Sequence, residues 1–387
     1  MTTFRLTAPT AGRVDLLVIA GEHSGDEHAA RAIRELRVAQ PGLAIVALGG
    51  PQIAAAGAQL LHDLTASSVV GLVEVLKNYS FFRALLDEIL RWIGEHRPRA
   101  VLLVDYPGLN LRIAAALRER GLSVKGGGNI KLLYYISPQI WAWKAKRRFT
   151  MARDLDGLAV IFPFEVKCYA DTPLPVEFVG HPFLAPDYAS PVRYDPAGPI
   201  LLLPGSRRQA VGRIFPMLLA GFAQFHRDVT ERSATVLYPS DDILAVLRSL
   251  NPPRSVELRP GGTPVAASAV LTSSGTMSMH CALAGIPGAV VYRANPLTYW
   301  LGRWLVKVPY LGIANLLLGE PMYPEYIQDA ATPDALAAEL RASLDQPARR
   351  AETARQAARL RALLGRAEGG TMADWLGRQL DGSGRPC

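Results

Sequence analysis

Short apolar runs alternate with longer amphipathic stretches through the first half of the chain. Val14 to Ala20, Leu43 to Leu48, Ala100 to Val104, Lys131 to Ile136 and Gly157 to Ile161 are near-continuous hydrophobic segments. Their length fits strands buried on both faces of a parallel sheet. Between them apolar positions recur at helical spacing, as in Glu27 to Val38 and Leu109 to Arg120. This is the β-α-β rhythm of a doubly wound sheet. A polar, proline-rich break at Ala185 to Pro199 (APDYASPVRYDPAGP) reads as a linker. The rhythm then restarts, with candidate strands at Ile200 to Leu203, Ala234 to Tyr238, Val256 to Leu258, Ala269 to Thr272 and Ala289 to Tyr292. From Pro333 to about Leu380 the sequence is rich in Ala and Arg and helical in pattern.

Composition narrows the function classes. The chain has 387 residues, 49% hydrophobic and 20% charged, enough for two core-forming domains. A net charge of +8 favours an anionic partner. Zinc-finger spacing, RNP-type aromatics and a basic tail are all missing, so nucleic acid is not expected. Cys168, Cys281 and Cys387 are odd in number and far apart, which fits packed thiols in a reducing compartment. The N-terminal apolar run is short and preceded by Arg13 and Asp15, so no signal peptide is expected. No apolar run reaches the roughly 18 residues a membrane span needs.

The candidate chemistry sits in a few loops. In YYISPQIWAWKAKRRF (Tyr134 to Phe149), Trp141 and Trp143 lead into Lys144, Lys146, Arg147 and Arg148. Aromatic faces stack on sugar rings and the cations neutralise phosphate; the other reading is a core tryptophan pair beside a solvated basic face. Gly21-Glu22-His23-Ser24-Gly25-Asp26 links a strand to a helix. Its backbone can approach an anion, or Ser24 or Asp26 can simply cap the helix. Pro204-Gly205-Ser206-Arg207-Arg208 and Ser273-Ser274-Gly275-Thr276 repeat that arrangement in the second half, where Arg207 can grip a diphosphate. Asp105 ends an apolar strand, where a carboxylate points into the functional crevice; it is either a general base or the cap of the next helix. Neither a metal nor another cofactor is expected. The apolar stretch Val69 to Leu86 is either core or a surface that touches lipid.

These strings occur in an order that resembles the lipid-A-disaccharide synthase family. Beside SPQIWAWK stand IFPFE and VGHP, preceded by GEHSGDEHAARAIREL, GGPQIAAAG, SVVGLVEVL and VDYPGLNLRIAAALRERG. LLPGSRR, SSGTMSMHCALAGIP, the YRANP segment and PEYIQ follow, so the likeness spans roughly residues 14 to 345. It implies a GT-B architecture, two Rossmann-like doubly wound domains with the active site in the cleft between them. The expected boundaries are 1–188 for an acceptor domain and 189–345 for a UDP-sugar domain. Terminal helices at 346–387 would pack back towards the first domain.

By the same resemblance the chain would be an inverting, metal-independent glycosyltransferase of lipid A biosynthesis. It would move 2,3-diacylglucosamine from UDP onto 2,3-diacylglucosamine 1-phosphate through a β-1,6 bond. Asp105 would be the base. Ser206, Arg207, Ser274, Gly275, Thr276, His280, Arg293, Asn315, Glu325 and Gln328 would line the donor side. Gly21, Ser24, Gly25, Asp26, Glu74, Trp141 and Trp143 would line the acceptor side. The expected location is cytoplasmic, held peripherally at the inner membrane through the apolar stretch, with a homodimer left open. Three positions depart from the family pattern: His280 and Ala210 where it has Glu, and Gly108 where it has Asp; Lys125 to Asn129 is an unusual glycine insertion. Two other readings stay open: another GT-B-like UDP-sugar enzyme such as an epimerase, and a non-catalytic lipid-binding descendant.

Overall fold

The computed structural model describes residues 5–67, 79–295, 308–365 and 369–381. The chain forms two compact units, Met1–Pro182 with Arg366–Cys387, and Phe183–Gly365. In the first, β1 (Leu16–Ala20), β2 (Ile45–Gly49), β3 (Gln59–Asp63), β4 (Ala100–Val104), β5 (Lys131–Tyr135), β6 (Gly157–Val160) and β7 (Val176–Phe178) form one parallel sheet in the order β3-β2-β1-β4-β5-β6-β7. The helices that follow these strands are α1 (His23–Ala39), α2 (Pro51–Ala55), α3 (Tyr79–His96), α4 (Pro107–Glu119) and α5 (Arg147–Asp154).

Alternation along β1 shows why the sheet is covered twice. Leu16, Val18 and Ala20 enter one core with Ala29, Ile33 and Leu36 of α1, whereas Leu17 and Ile19 enter another with Ile89, Trp92 and Ile93 of α3. All five β1 residues are fully buried. At about 25 cal/mol per Å² of apolar surface, each large side chain here contributes roughly 1.5–3 kcal/mol.

In the second unit, β9 (Ile200–Leu203), β10 (Ala234–Tyr238), β11 (Val256–Pro260), β13 (Ala269–Thr272), β14 (Gly288–Tyr292) and β15 (Glu325–Ile327) form a parallel sheet in the order β11-β10-β9-β13-β14-β15. A two-stranded pair, β8 (Val192–Tyr194) with β12 (Val265–Ala267), stands apart from it. Its helices include α6 (Arg208–His226), α7 (Asp241–Ser249), α8 (Thr276–Ala284), α9 (Ile313–Leu318), α10 (Pro333–Asp345) and α11 (Pro347–Leu364). Phe215, Leu218 and Phe222 of α6 meet Leu336 and Leu340 of α10 in its core.

The expected returning segment 346–387 is divided. α11 belongs to the second unit, where Arg349 donates to the Met322 and Gly288 carbonyls and pairs with the nearly buried Glu339. Only α12 (Met372–Asp381) belongs to the first, burying Trp375, Leu376 and Leu380 in the α1 core. Arg99 and Lys131 donate to the Leu380 and Gln379 carbonyls, cations suited to a helix C-terminus.

The glycine insertion also has a structural cause. A Cβ on Gly126 or Gly128 would strike the carbonyls of Arg118 or Leu122, so this tight loop admits only glycine there. It precedes β5 and therefore lies away from the strand ends that carry the chemistry.

Positions 69–78 of the apolar stretch lie outside the described residues. At the other end of that stretch, Leu85 is buried in the core and Leu86 packs against it. Among the described residues no helix is long and apolar enough to cross a membrane.

Candidate active site

In each sheet the strand order reverses beside the first strand, between β1 and β4 and between β9 and β13. Such a switch point opens a ligand crevice outside the C-terminal strand ends. The register brings those ends level: Ala20 faces Val104, Val104 faces Tyr135, and Leu203 faces Thr272. The next residues, Gly21, Asp105 and Ile136 in one unit and Pro204 and Ser273 in the other, therefore stand side by side on one edge.

The first edge is strained. Asp105 and Tyr106 both have φ 45° and Ile136 has φ 67°, costing of order 1–3 kcal/mol each for side-chain-bearing residues. The surroundings hold Asp105 there. Its N–H donates to the Tyr135 carbonyl at 2.9 Å, and its carbonyl accepts from Tyr134 Oη at 2.6 Å and Asn110 Nδ2 at 2.8 Å. Asn110 also donates to the Val104 carbonyl at 3.1 Å. Burial pushes the Asp105 carboxyl up to about 6, with the Glu22 charge adding to it and a hydrogen bond from the Tyr106 amide opposing it. Position 21 needs glycine, because a Cβ there would strike the Tyr106 ring.

Glu165 was missed in the sequence. It lies in the 3-10 turn Pro163–Tyr169 after β6 and is 1% exposed. Its carboxyl accepts from Trp141 Nε1 at 3.2 Å and from the Phe162 amide at 3.3 Å. Burial pushes it up to about 8; those two hydrogen bonds oppose the rise and the Asp105 charge adds to it. Its carboxyl is therefore harder to ionise than that of Asp105. The string IFPFE holds the residue, but its partner Trp141 lies 24 residues earlier and is joined to it only by folding. Trp141 also meets Phe164 edge to face at 5.4 Å, while Trp143 is 46% exposed, with Lys144 Nζ 4.4 Å from the centroid of its ring.

The other residues expected on the acceptor side divide. Ser24 is exposed in the first turn of α1, and Gly25 packs on Val104. Asp26 is 1% exposed and serves the chain itself: it accepts from the amides of Gly50, Gln52 and Ile53 at 2.8, 3.0 and 3.2 Å, capping α2. Three of the roughly four acceptor positions of its carboxylate are thereby used within the chain. Glu74 lies outside the described residues.

In the second unit, Ser206 and Arg207 are exposed before α6, and Arg207 is its N-cap residue. Gly275 caps α8, with Thr276 exposed at its first position and Ser274 half-buried before it. Two helix N-termini thus open at the switch point. Arg293 is exposed after β14.

Asn315, Glu325 and Gln328 are tied to the chain. Glu325 accepts from the amides of Leu311 and Gly312 and from Asn315 Nδ2 at 2.9 Å, and Asn315 also exchanges two bonds with the Tyr323 backbone. Gln328 pairs with both backbone groups of Ala294. These three shape the loops that follow β14.

His280 is 5% exposed. Its ring stacks on Phe183 at 3.9 Å and its Nε2 lies 3.2 Å from Tyr188 Oη. Burial lowers its pKa to about 4, so the imidazole is neutral. The departure from the family's Glu is therefore matched by an aromatic partner set.

Comparison with known proteins agrees with this arrangement. The family model for lipid-A-disaccharide synthetase matches residues 16–374. A lipid-A-disaccharide synthase of Nitrosococcus oceani is 36% identical over 341 residues, covering 83% of this chain and 85% of the relative. One from Geobacter metallireducens is 35% identical over 381 residues, covering 92% and 94%. Among solved structures, the UDP-GlcNAc 2-epimerase of Neisseria meningitidis aligns with TM-score 0.59 at 11% identity, over 88% of this chain and 94% of that one. The glycosyltransferase of kitacinnamycin aligns with TM-score 0.58 at 18% identity, over 95% and 99%. The structural likeness shows the GT-B fold. The sequence likeness spans nearly the whole chain, which belongs to the lipid-A-disaccharide synthase family and is a glycosyltransferase.

Proposed function

We propose that this chain takes 2,3-diacylglucosamine from UDP-2,3-diacylglucosamine and joins it by a β-1,6 bond to 2,3-diacylglucosamine 1-phosphate, releasing UDP. The observation that carries the reading is Asp105, held at a strained strand end and pushed up to about 6. It is ionised at neutral pH yet basic enough to accept a proton. Its carboxylate takes the proton of the acceptor 6-hydroxyl while that oxygen attacks the anomeric carbon. The bond to the diphosphate breaks on the opposite face, and the configuration inverts.

The first unit takes the acceptor and the second takes the UDP-sugar. Arg207 and the amides at Gly275 and Thr276 receive the diphosphate charge, because cations and helix N-termini favour developing negative charge. Trp141, held by Glu165, offers its face to the acceptor sugar. Both substrates carry acyl chains, so the chain works peripherally at the cytoplasmic face of the inner membrane.

Incubating the protein with both acylated sugars tests the reading. UDP release that requires the acceptor, together with a disaccharide 1-phosphate product, is expected. Conversion of the UDP-sugar without acceptor would instead indicate an epimerase-like activity on this fold.

A further inference from the structure

Of the four cations in the WAWKAKRRF string, only one is neutralised. Asp171 receives two parallel hydrogen bonds from Arg148, Nε to Oδ1 at 2.7 Å and Nη2 to Oδ2 at 2.6 Å. The other three, Lys144, Lys146 and Arg147, form no ion pair with any described carboxylate. They line an open surface depression of about 550 Å³ completed by Leu111, Ala145 and Thr150. Its only charged groups are positive, and it contains one hydroxyl.

Three like charges around one depression repel each other, and an anion relieves that repulsion. The first amides of α5 are already taken, since Arg147, Arg148 and Phe149 donate to the carbonyls of Lys144, Ala145 and Lys146. An anion would therefore be gripped by side chains. The place is specific. Leu111 is on α4, the helix that begins two residues after Asp105. Arg147 is close enough to Tyr134 for its charge to act on that phenol, and Tyr134 holds the Asp105 carbonyl. Trp143, with Lys144 and Arg147 over its ring, is half-exposed at the edge of the same depression.

We propose that Lys144, Lys146, Arg147 and Thr150 form a phosphomonoester site that receives the 1-phosphate of the acceptor. This rests on the reading of the first unit as the acceptor side, and it assigns the phosphate a place there. The same chemistry would suit the headgroup of an anionic membrane lipid, so the test separates the two sources.

Binding of glucosamine 1-phosphate and of glucosamine would be measured by calorimetry on the full chain, alongside sedimentation with phosphatidylglycerol vesicles. Wild type should bind the phosphate form at least tenfold more tightly than glucosamine. The double variant Lys146→Gln/Arg147→Gln should lose that preference and raise the acceptor KM at least tenfold, with the donor KM unchanged. Arg148→Gln removes the same kind of charge at the occupied position and should keep the preference. Vesicle sedimentation should be unaltered in the double variant.

An unchanged phosphate preference in the double variant would overturn the proposal. So would loss of vesicle binding with phosphate binding retained, which would assign the depression to the membrane. Because glucosamine 1-phosphate binding does not depend on turnover, failure of the transferase reading alone would show as phosphate binding without activity.

Discussion

The two switch points solve opposite problems with the same strand-loop-helix geometry. At the end of β4 the functional group is sheltered: Asp105 is pushed up by burial, Glu165 lies deeper, and strained backbone is held by Tyr134 and Asn110. At the ends of β9 and β13 the candidate groups are exposed: Arg207 and Thr276 face outward at helix N-termini. A base must be desolvated to become basic enough to remove a proton. A grip for a diphosphate needs open cations and amides that charge can reach. Burial therefore goes with the proposed base in the first unit, and exposure with the proposed anion grip in the second.

The sharpest way to break this contrast is at Asp105. Asp105→Asn keeps the side-chain shape and removes the base, so turnover should fall by about 10²- to 10⁴-fold while calorimetry finds UDP affinity unchanged. A fall of less than tenfold would remove Asp105 as the base. Asp26, whose carboxylate caps α2, would then be the next acid to substitute.

Glu165 gives the next largest effect, in stability. Its folded value of about 8 lies above its unfolded value. Between those values the folded state binds more protons, so this group costs stability as pH rises from about 4.5 through 8. Glu165→Gln should remove that fall, on the order of 4 kcal/mol at most, as measured by urea melts at pH 5 and pH 8. The variant's Oε1 can still accept from Trp141, although its amide cannot accept from Phe162.

In the second unit the effects are smaller because the groups are exposed. Arg207→Ala should weaken UDP binding about ten- to a hundredfold, the worth of hydrogen bonds to a charged group. Calorimetry with no change would take Arg207 out of the donor site. His280→Glu should not tighten UDP binding. It would bury a carboxylate against Phe183 and lose the ring stacking, at a cost of about 1–3 kcal/mol in a thermal melt.

The sheets were legible in the sequence because their central strands are buried on both faces. Ala100–Val104, Ile200–Leu203, Ala234–Tyr238 and Ala269–Thr272 coincide with the hydrophobic runs. The strands that escaped notice, β3, β7, β8, β12 and β15, are edge or isolated segments, and four of them have only three residues. Strands this short or this polar give no run long enough to read. Asp105 was legible because it ends one of those runs. Glu165 and Asn110 were not, because their importance comes from what β6 and α4 bring beside Trp141 and Asp105. The His280 substitution was visible, but its partners Phe183 and Tyr188 lie roughly 90 residues earlier and only folding joins them.

The pH dependence of kcat/KM, read from UDP release in wild type and in Glu22→Gln, tests the central claim most directly. With Asp105 as the base, activity should fall as pH drops through about 6. Removing the Glu22 charge should move that limb to lower pH, because that charge helps to hold the carboxyl up. An acid limb near 4 in wild type, or one that stays in place in Glu22→Gln, would contradict Asp105 as the group that takes the proton.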